Sequence, residues 1–220
     1  MDHMSEIEQK IAEFLLQIKA IKLEPKNPFT WASGLKSPIY CDNRITLSYP
    51  TIRTYIRQKF SEVIHEEFGS IDMISGVATA GIPQGVLVAQ DLGVPFTYVR
   101  SDAKSHGRQN LIEGEVVDGQ RVVVIEDLIS TGKSSLKAVQ ALRDVGCNVV
   151  GLVSIFTYSL PIAEENFKEA KCRLISLSNY ETLIKYAFDN QYINESDVAL
   201  LEEWRLNPED WSNNISELEI

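Results

Sequence analysis

VVVIEDLISTGKSS, residues Val122 to Ser135, decides how this chain is read. Its Gly132, Lys133 and Ser134 match the end of the phosphate loop G-x-x-x-x-G-K-[ST] of nucleotide triphosphatases. That loop needs a first glycine five residues before the second, and the residue there is Asp127. A carboxylate at that point repels polyphosphate and its Cβ crowds the turn, so the triphosphatase reading loses its support. What stands here is an apolar strand ending in two acids, Glu126 and Asp127. Leu128, Ile129, Ser130, Thr131, Gly132, Lys133 and Ser134 then lead into a helix. Hydroxyls, a glycine and the first N–H groups of a helix make an anion cradle suited to one phosphate. The acids face something other than phosphate: sugar hydroxyls, or a magnesium ion through water. Acids for a diol beside a cradle for a monophosphate describe a ribose 5-phosphate site. The plainer alternative is a polar strand-to-helix turn with an Asp/Ser cap.

Outward from this stretch, short apolar β-rich runs alternate with helix-patterned segments from about residue 71: IDMISG, PQGVLVAQDLG, VPFTYV, RVVVIED, KSSLKAVQALRDVG and NVVGLVSIFTY. This is the βαβ rhythm of a mainly parallel sheet flanked by helices. VVVI and VVGLVSI are apolar at successive positions, so both faces of those strands are expected to be buried. The helix from Lys133 carries Leu136, Val139, Leu142 and Val145 at core spacing and is expected to stop at Gly146. A helix after Pro161, a strand CRLISL and an acidic helical region follow. Near the N-terminus, Ile7, Ile11, Phe14, Leu15 and Ile18 make one helix face, with Ser5 as the expected cap and residues 1–4 read as an appendage before it. One segment breaks the rhythm: RSDAKSHGRQNLIEGE, Arg100 to Glu115, is polar and holds Gly107 and Gly114 as possible hinge points. A loop of that length in a compact domain reads as a functional lid.

Composition narrows the classes. A chain of 220 residues, 44% hydrophobic and 24% charged, is ordinary globular protein. A formal charge of -10 argues against coating nucleic acid, which relies on Lys and Arg against phosphate. Cys41, Cys147 and Cys172 are too far apart for a CxxC pair and read as free thiols of a reduced compartment, the cytoplasm. No apolar run approaches the roughly 18 residues of a membrane span.

VVVIEDLISTGKSS resembles the signature of the type I phosphoribosyltransferases, which bind 5-phosphoribosyl 1-diphosphate (PRPP). The resemblance implies that Glu126 and Asp127 hold the ribose hydroxyls and that Leu128 to Ser134 hold the 5-phosphate. Lys133 departs from the small residue often found there. FTWASGLKSPIYCDNR, Phe29 to Arg44, reads on propensity alone as a hairpin or covering loop. It closely resembles the hood of the orotate phosphoribosyltransferases, with Ser33-Gly34, Ser37-Pro38 and Tyr40 matching. That likeness implies an orotate ring bound by main chain near Tyr40 and Cys41, with Ser130 beside it and Lys22 reaching the base and diphosphate side.

The lid resembles the long flexible catalytic loop of the same enzymes. Arg100, Lys104 and His106 are then PRPP-binding and catalytic together with Asp127, and the lid's lysine and histidine reach the active site of the other subunit of a homodimer. GVATAG, Gly76 to Gly81, resembles the family's diphosphate loop, in which a non-proline cis peptide is common. Three positions depart from relatives: Ser101 and Ala80 stand where a basic residue is frequent, and Tyr158 stands near where some carry an arginine. The resemblance implies a type I phosphoribosyltransferase fold over residues 1–220: helix and hood at 5–50, PRPP-binding α/β core at 70–178, C-terminal helices at 179–220. It also implies Mg2+ as cofactor, held mainly by PRPP and water with no protein metal site, and no nucleic-acid or membrane partner. A transferase for hypoxanthine, adenine or uracil would keep the PRPP motif and lack the hood. A nucleotide-sensing regulator is disfavoured by the acidic charge and the intact lid.

Overall fold

A computed structural model of the chain describes residues 3–31, 33–101 and 111–218. The first part runs α1 (His3–Gln17), β1 (Ile21–Leu23), β2 (Phe29–Thr30), β3 (Lys36–Ser37), β4 (Ile39–Cys41), a 3-10 helix (Asn43–Ser48) and α2 (Pro50–Phe68). The central part is β5 (Met73–Val77), α3 (Gly81–Leu92), β6 (Phe96–Val99), β7 (Ile112–Glu113), β8 (Arg121–Ile129), α4 (Lys133–Asp144) and β9 (Asn148–Thr157). The last part is α5 (Pro161–Glu169), β10 (Leu174–Asn179), α6 (Tyr180–Asp189), α7 (Glu195–Leu206) and α8 (Pro208–Leu218).

β5 to β10 form one sheet in the order β10-β9-β8-β5-β6-β7, parallel throughout except for the short antiparallel β7. The successive valines of β8 sort to opposite faces. Val123 and Ile125 join a core with α1, α2 and α6, whereas Val122 and Val124 join one with α4 and α5. Burial on both sides is what an uninterrupted apolar run gives in a parallel strand.

Three local expectations need correction. α1 begins at His3, so Ser5 lies inside its first turn rather than at the cap. His3 bonds Glu62 of α2 and Met4 packs on the core, and these contacts carry the helix past the serine. α4 ends at Asp144, which leaves Val145 outside the last turn and exposed; the buried face is Ser135, Ala138, Val139 and Leu142. The lid segment also contains a strand: Ile112 and Glu113 pair antiparallel with Val99 and Tyr98, which ties its end back to β6. Pro50–Phe68, which carries no quoted motif, forms α2. Pro50 opens that helix, and Ile52, Ile56, Phe60, Val63 and Ile64 are buried. No helix among the described residues is long and apolar enough to cross a membrane.

β5 continues through α3 to β6, and β8 continues through α4 to β9, yet β5 and β8 are neighbours. The chain therefore leaves these two strands in opposite directions. The crevice beyond their carboxyl ends is the switch point at which open α/β sheets bind ligands.

Candidate active site

The acid pair ends β8 at that crevice. Glu126 is only 6% exposed; its Oε2 accepts from the Ser135 hydroxyl at 3.0 Å and its Oε1 from the Asp127 N–H at 3.1 Å. Burial, then the Asp127 charge, raises the Glu126 pKa to about 8. Asp127 is also raised, mainly by burial, while the nearby Arg44 charge opposes the rise. Two carboxyls that resist joint ionisation are stabilised by hydroxyl donors or a cation between them. Hard oxygen ligands beside a phosphate site also suit magnesium held jointly with substrate and water. The donor set thus fits that ion. A separate group of possible ligands, His3, Glu62 and Glu66, lies outside the crevice lining.

Beyond the acids, Gly132 takes φ 76° and caps α4 with no side-chain hydrogen bond to the helix. The first N–H groups of α4 are left for an anion. A Cβ on Gly132 would lie 2.5 Å from the Phe167 ring, and Asn166 donates to the Thr131 carbonyl at 2.9 Å. α5 therefore props the loop from behind, a support with no local signal in the sequence. Ser130 and Thr131 are half-buried, Ser134 lines the crevice, and Lys133 is exposed at the start of the helix. Ile129 is buried in the α4–α5 core, which leaves its backbone alone to serve a ligand; Leu128 lines the crevice.

The β5–α3 turn forms the facing wall. Its Ala78–Thr79 peptide is cis, as the resemblance to the diphosphate loop implies, and α3 begins without a side-chain cap. Gly81 allows this turn to lie against β8, because a Cβ there would be 2.4 Å from the Ile125 carbonyl oxygen. Crevice and turn enclose about 410 Å3, bordered by Cys41, Arg44, Thr79, Glu126, Asp127 and Ser134 among others.

The hood closes the remaining side. β1 pairs antiparallel with β4 and sets Lys22 opposite Tyr40, on one face of the ribbon. Both are exposed, and Tyr40 packs on Phe29 at 5.6 Å. Cys41 borders the crevice; burial first, then the Asp127 and Asp42 charges, push its thiol well up, so it stays neutral. Asn43 ties hood to acids, donating to the Asp127 carbonyl at 2.7 Å. Behind the hood, Trp31 stacks on Tyr158 at 5.4 Å and meets Trp204 of α7 edge-on at 5.7 Å. The Ser212 hydroxyl of α8 accepts from the Lys36 N–H at 2.8 Å. Tyr158 is buried in this cluster, so it props the hood and does not stand in for a solvent-facing arginine.

Arg100 closes β6 with its N–H on the Leu111 carbonyl and its guanidinium 3.4 Å from Glu113 at the foot of the lid. Lys104 and His106 lie outside the described residues. The structure thus gathers Glu126, Asp127, Leu128, Ser134 and Cys41 around one crevice, with Lys22 and Tyr40 side by side on the hood. Sequence reasoning missed Arg44, Asp42, Asn43, Ser135, Asn166 and Phe167. The first three sit in a quoted motif, CDNR, whose fold-back onto β8 no periodicity reveals.

Residues 47–191 match the phosphoribosyl transferase domain family. An orotate phosphoribosyltransferase of Phocaeicola vulgatus is 58% identical over 208 residues, covering 94% of this chain and 98% of that protein. Among solved structures, an orotate phosphoribosyltransferase from Aeropyrum pernix superposes with TM-score 0.73 at 27% identity, over 84% of this chain and 99% of that one. One from Mycobacterium tuberculosis in complex with PRPP gives TM-score 0.62 at 25% identity, over 80% and 98%. Matched over about two thirds of its length by the family and along nearly its whole length by named enzymes, the chain belongs to the phosphoribosyl transferase family and, within it, to the orotate phosphoribosyltransferases.

Proposed function

We propose that the protein transfers the 5-phosphoribosyl group of PRPP to orotate, giving orotidine 5'-phosphate and diphosphate in pyrimidine nucleotide synthesis. The observation that carries this is the buried acid pair between an uncapped helix N-terminus and the hood, at the sheet's switch point. The cradle of α4 holds the 5-phosphate, Glu126 and Asp127 fix the ribose hydroxyls, and the hood covers the flat base beside Lys22, Tyr40, Cys41 and Ser130.

Cleavage at the anomeric carbon runs ahead of attack, so a ribosyl cation-like transition state forms while negative charge gathers on the departing diphosphate. Catalysis is positioning plus charge stabilisation. Asp127 and Glu126 orient the sugar and, near its positive charge, favour the transition state. Arg100, Lys104 and His106 favour the leaving group, His106 by donating a hydrogen bond or proton to its oxygens. Glu126 and Asp127 would help hold magnesium together with PRPP, and the ion would supply further neutralisation of the diphosphate. Closure of the lid excludes water that would hydrolyse PRPP.

The lid is proposed to serve the partner site of a homodimer. Mixing Lys104→Ala with Asp127→Asn subunits is then expected to restore activity at one of two sites; mixtures as inactive as both parents would rule sharing out. Three free thiols accord with a reducing cytoplasm. The direct test of the reaction is loss of orotate ultraviolet absorbance with PRPP and magnesium. Consumption of a different base would overturn the substrate, and no turnover of any base would favour a nucleotide-sensing regulator.

A further inference from the structure

The crevice is short of positive charge for the substrate it is proposed to hold. Its described lining carries three carboxylates, Asp42, Glu126 and Asp127, and the diphosphate-side turn Ala78-Thr79-Ala80 contributes no charge. Among the described lining residues the one cation is Arg44. Its guanidinium is held: Nε donates to Asp42 Oδ1 at 2.6 Å and Nη2 to Oδ2 at 2.9 Å, a two-point grip on one carboxylate. Asp42 is held in turn, since its Oδ1 also accepts the Arg44 backbone N–H at 3.2 Å and caps the 3-10 helix.

This grip uses two of the five N–H donors of the guanidinium. The other edge, Nη1 with the second hydrogen of Nη2, has no partner among the described residues and suits a second planar or phosphate anion. The Arg44 side chain is 64% exposed, so nothing in the core requires its charge.

We propose that Arg44, oriented by Asp42, is the fixed cation that the crevice lining supplies to the diphosphate of PRPP. The assignment rests on the reading proposed above. Two anions could claim the free edge, the diphosphate and the carboxylate of the base, and the shape of the crevice decides between them. Arg44 shares its cavity with the Ala78–Ala80 turn and the uncapped start of α3, where an anion gains from free N–H groups, whereas Lys22 stands on the hood ribbon opposite Tyr40. A chain without a basic residue at 80 or 101 places its cation instead on the segment that follows the hood.

The test is titration of inorganic diphosphate, with magnesium at fixed concentration, into wild type, Arg44→Met, Arg44→Lys and Asp42→Asn by calorimetry, beside KM for PRPP and for orotate. Arg44→Met is expected to weaken diphosphate binding about 10- to 100-fold, the loss of one hydrogen-bonded charge, and to raise KM for PRPP in step. Orotate KM is expected to move less than about twofold, as it does for residues outside the few anchors that carry a contact's energy. Arg44→Lys keeps the charge without the fork and recovers part of the loss. Asp42→Asn, which frees the guanidinium, weakens diphosphate in the same direction. Unchanged diphosphate binding, or a rise confined to orotate KM, would overturn the proposal. The titration needs no orotate: a protein that binds diphosphate through Arg44 yet leaves orotate untouched would refute the proposed reaction and keep this assignment.

Discussion

Two walls of the crevice, the cradle and the hood, are built by opposite means. The proposed phosphate cradle is one continuous piece of chain, from the end of β8 into α4, and it offers backbone N–H donors fixed by a strand-to-helix turn. The hood has almost no structure of its own, a pair of two-residue strands beside a pair of three-residue ones, and takes its shape from distant elements. Trp31 leans on Tyr158 and Trp204, and β3 is bonded to Ser212. A cradle for phosphate can be local because a helix start supplies its donors; a cover for a flat ring needs breadth, and breadth in a short loop comes from packing.

If that contrast holds, the largest single effect falls on the hood from far away. Trp204 is fully buried against Trp31, Tyr158 and Tyr180. Trp204→Ala is expected to cost about 3 to 5 kcal/mol in chemical denaturation, as aromatic truncations in cores do. In the protein that remains folded, orotate KM rises more than PRPP KM. Equal rises would mean that the hood does not depend on α7.

The cradle is expected to fail from within. Gly132→Val puts a branched Cβ into the Phe167 ring at a positive φ and displaces the free N–H groups of α4. A fall of about 10²- to 10³-fold in kcat/KM for PRPP is expected, the loss measured when one preorganised donor goes. Hydrogen exchange in the hood stays unchanged; hood amides that speed up would show the two walls to be coupled.

These walls were unequally legible. Glu126, Asp127 and Gly132 point to the proposed sugar-phosphate site because every group it needs is consecutive, and the parallel sheet followed from apolar runs such as VVVI. The hood's outline was visible in FTWASGLKSPIY, but its supports were not: Trp204 and Ser212 lie more than a hundred residues away in the acidic helical region, where a tryptophan announces packing without naming its partner. Arg44 was hidden differently. Its motif was in view, yet only the 3-10 helix after β4 turns it toward β8. Periodicity reports which face of an element is buried, and says nothing about where an irregular segment folds back.

A third variant acts on the cradle's electrostatics. Glu126 has its folded pKa raised to about 8, so the folded state keeps a proton that the unfolded chain releases above about 4.3. The folded state then binds more protons, and stability contributed by this group declines as pH rises between those two values. In protein free of metal and substrate, Glu126→Gln is expected to flatten that decline and raise Tm at pH 8 by about 2 to 4 °C, the shift roughly 1 kcal/mol gives a chain of this size. PRPP binding weakens in the same variant. A stabilised variant that bound PRPP normally would remove the acid from the ribose site.

The smallest effect is the finest probe of how the hood is held. Ser212→Ala deletes one acceptor, the hydroxyl 2.8 Å from the Lys36 N–H, and leaves Trp31, Trp204 and the whole cradle in place. The expected loss of stability is about 1 kcal/mol, typical of one hydrogen bond. Global unfolding reads that change without placing it, whereas exchange of the hood amides is expected to quicken about fivefold, because local opening reports local free energy. Amides of β8 and α4, which share no bond with Ser212, keep their protection. If the hood amides instead keep wild-type rates, α8 is a bystander, and the cover over the base hangs on the Trp31 cluster alone.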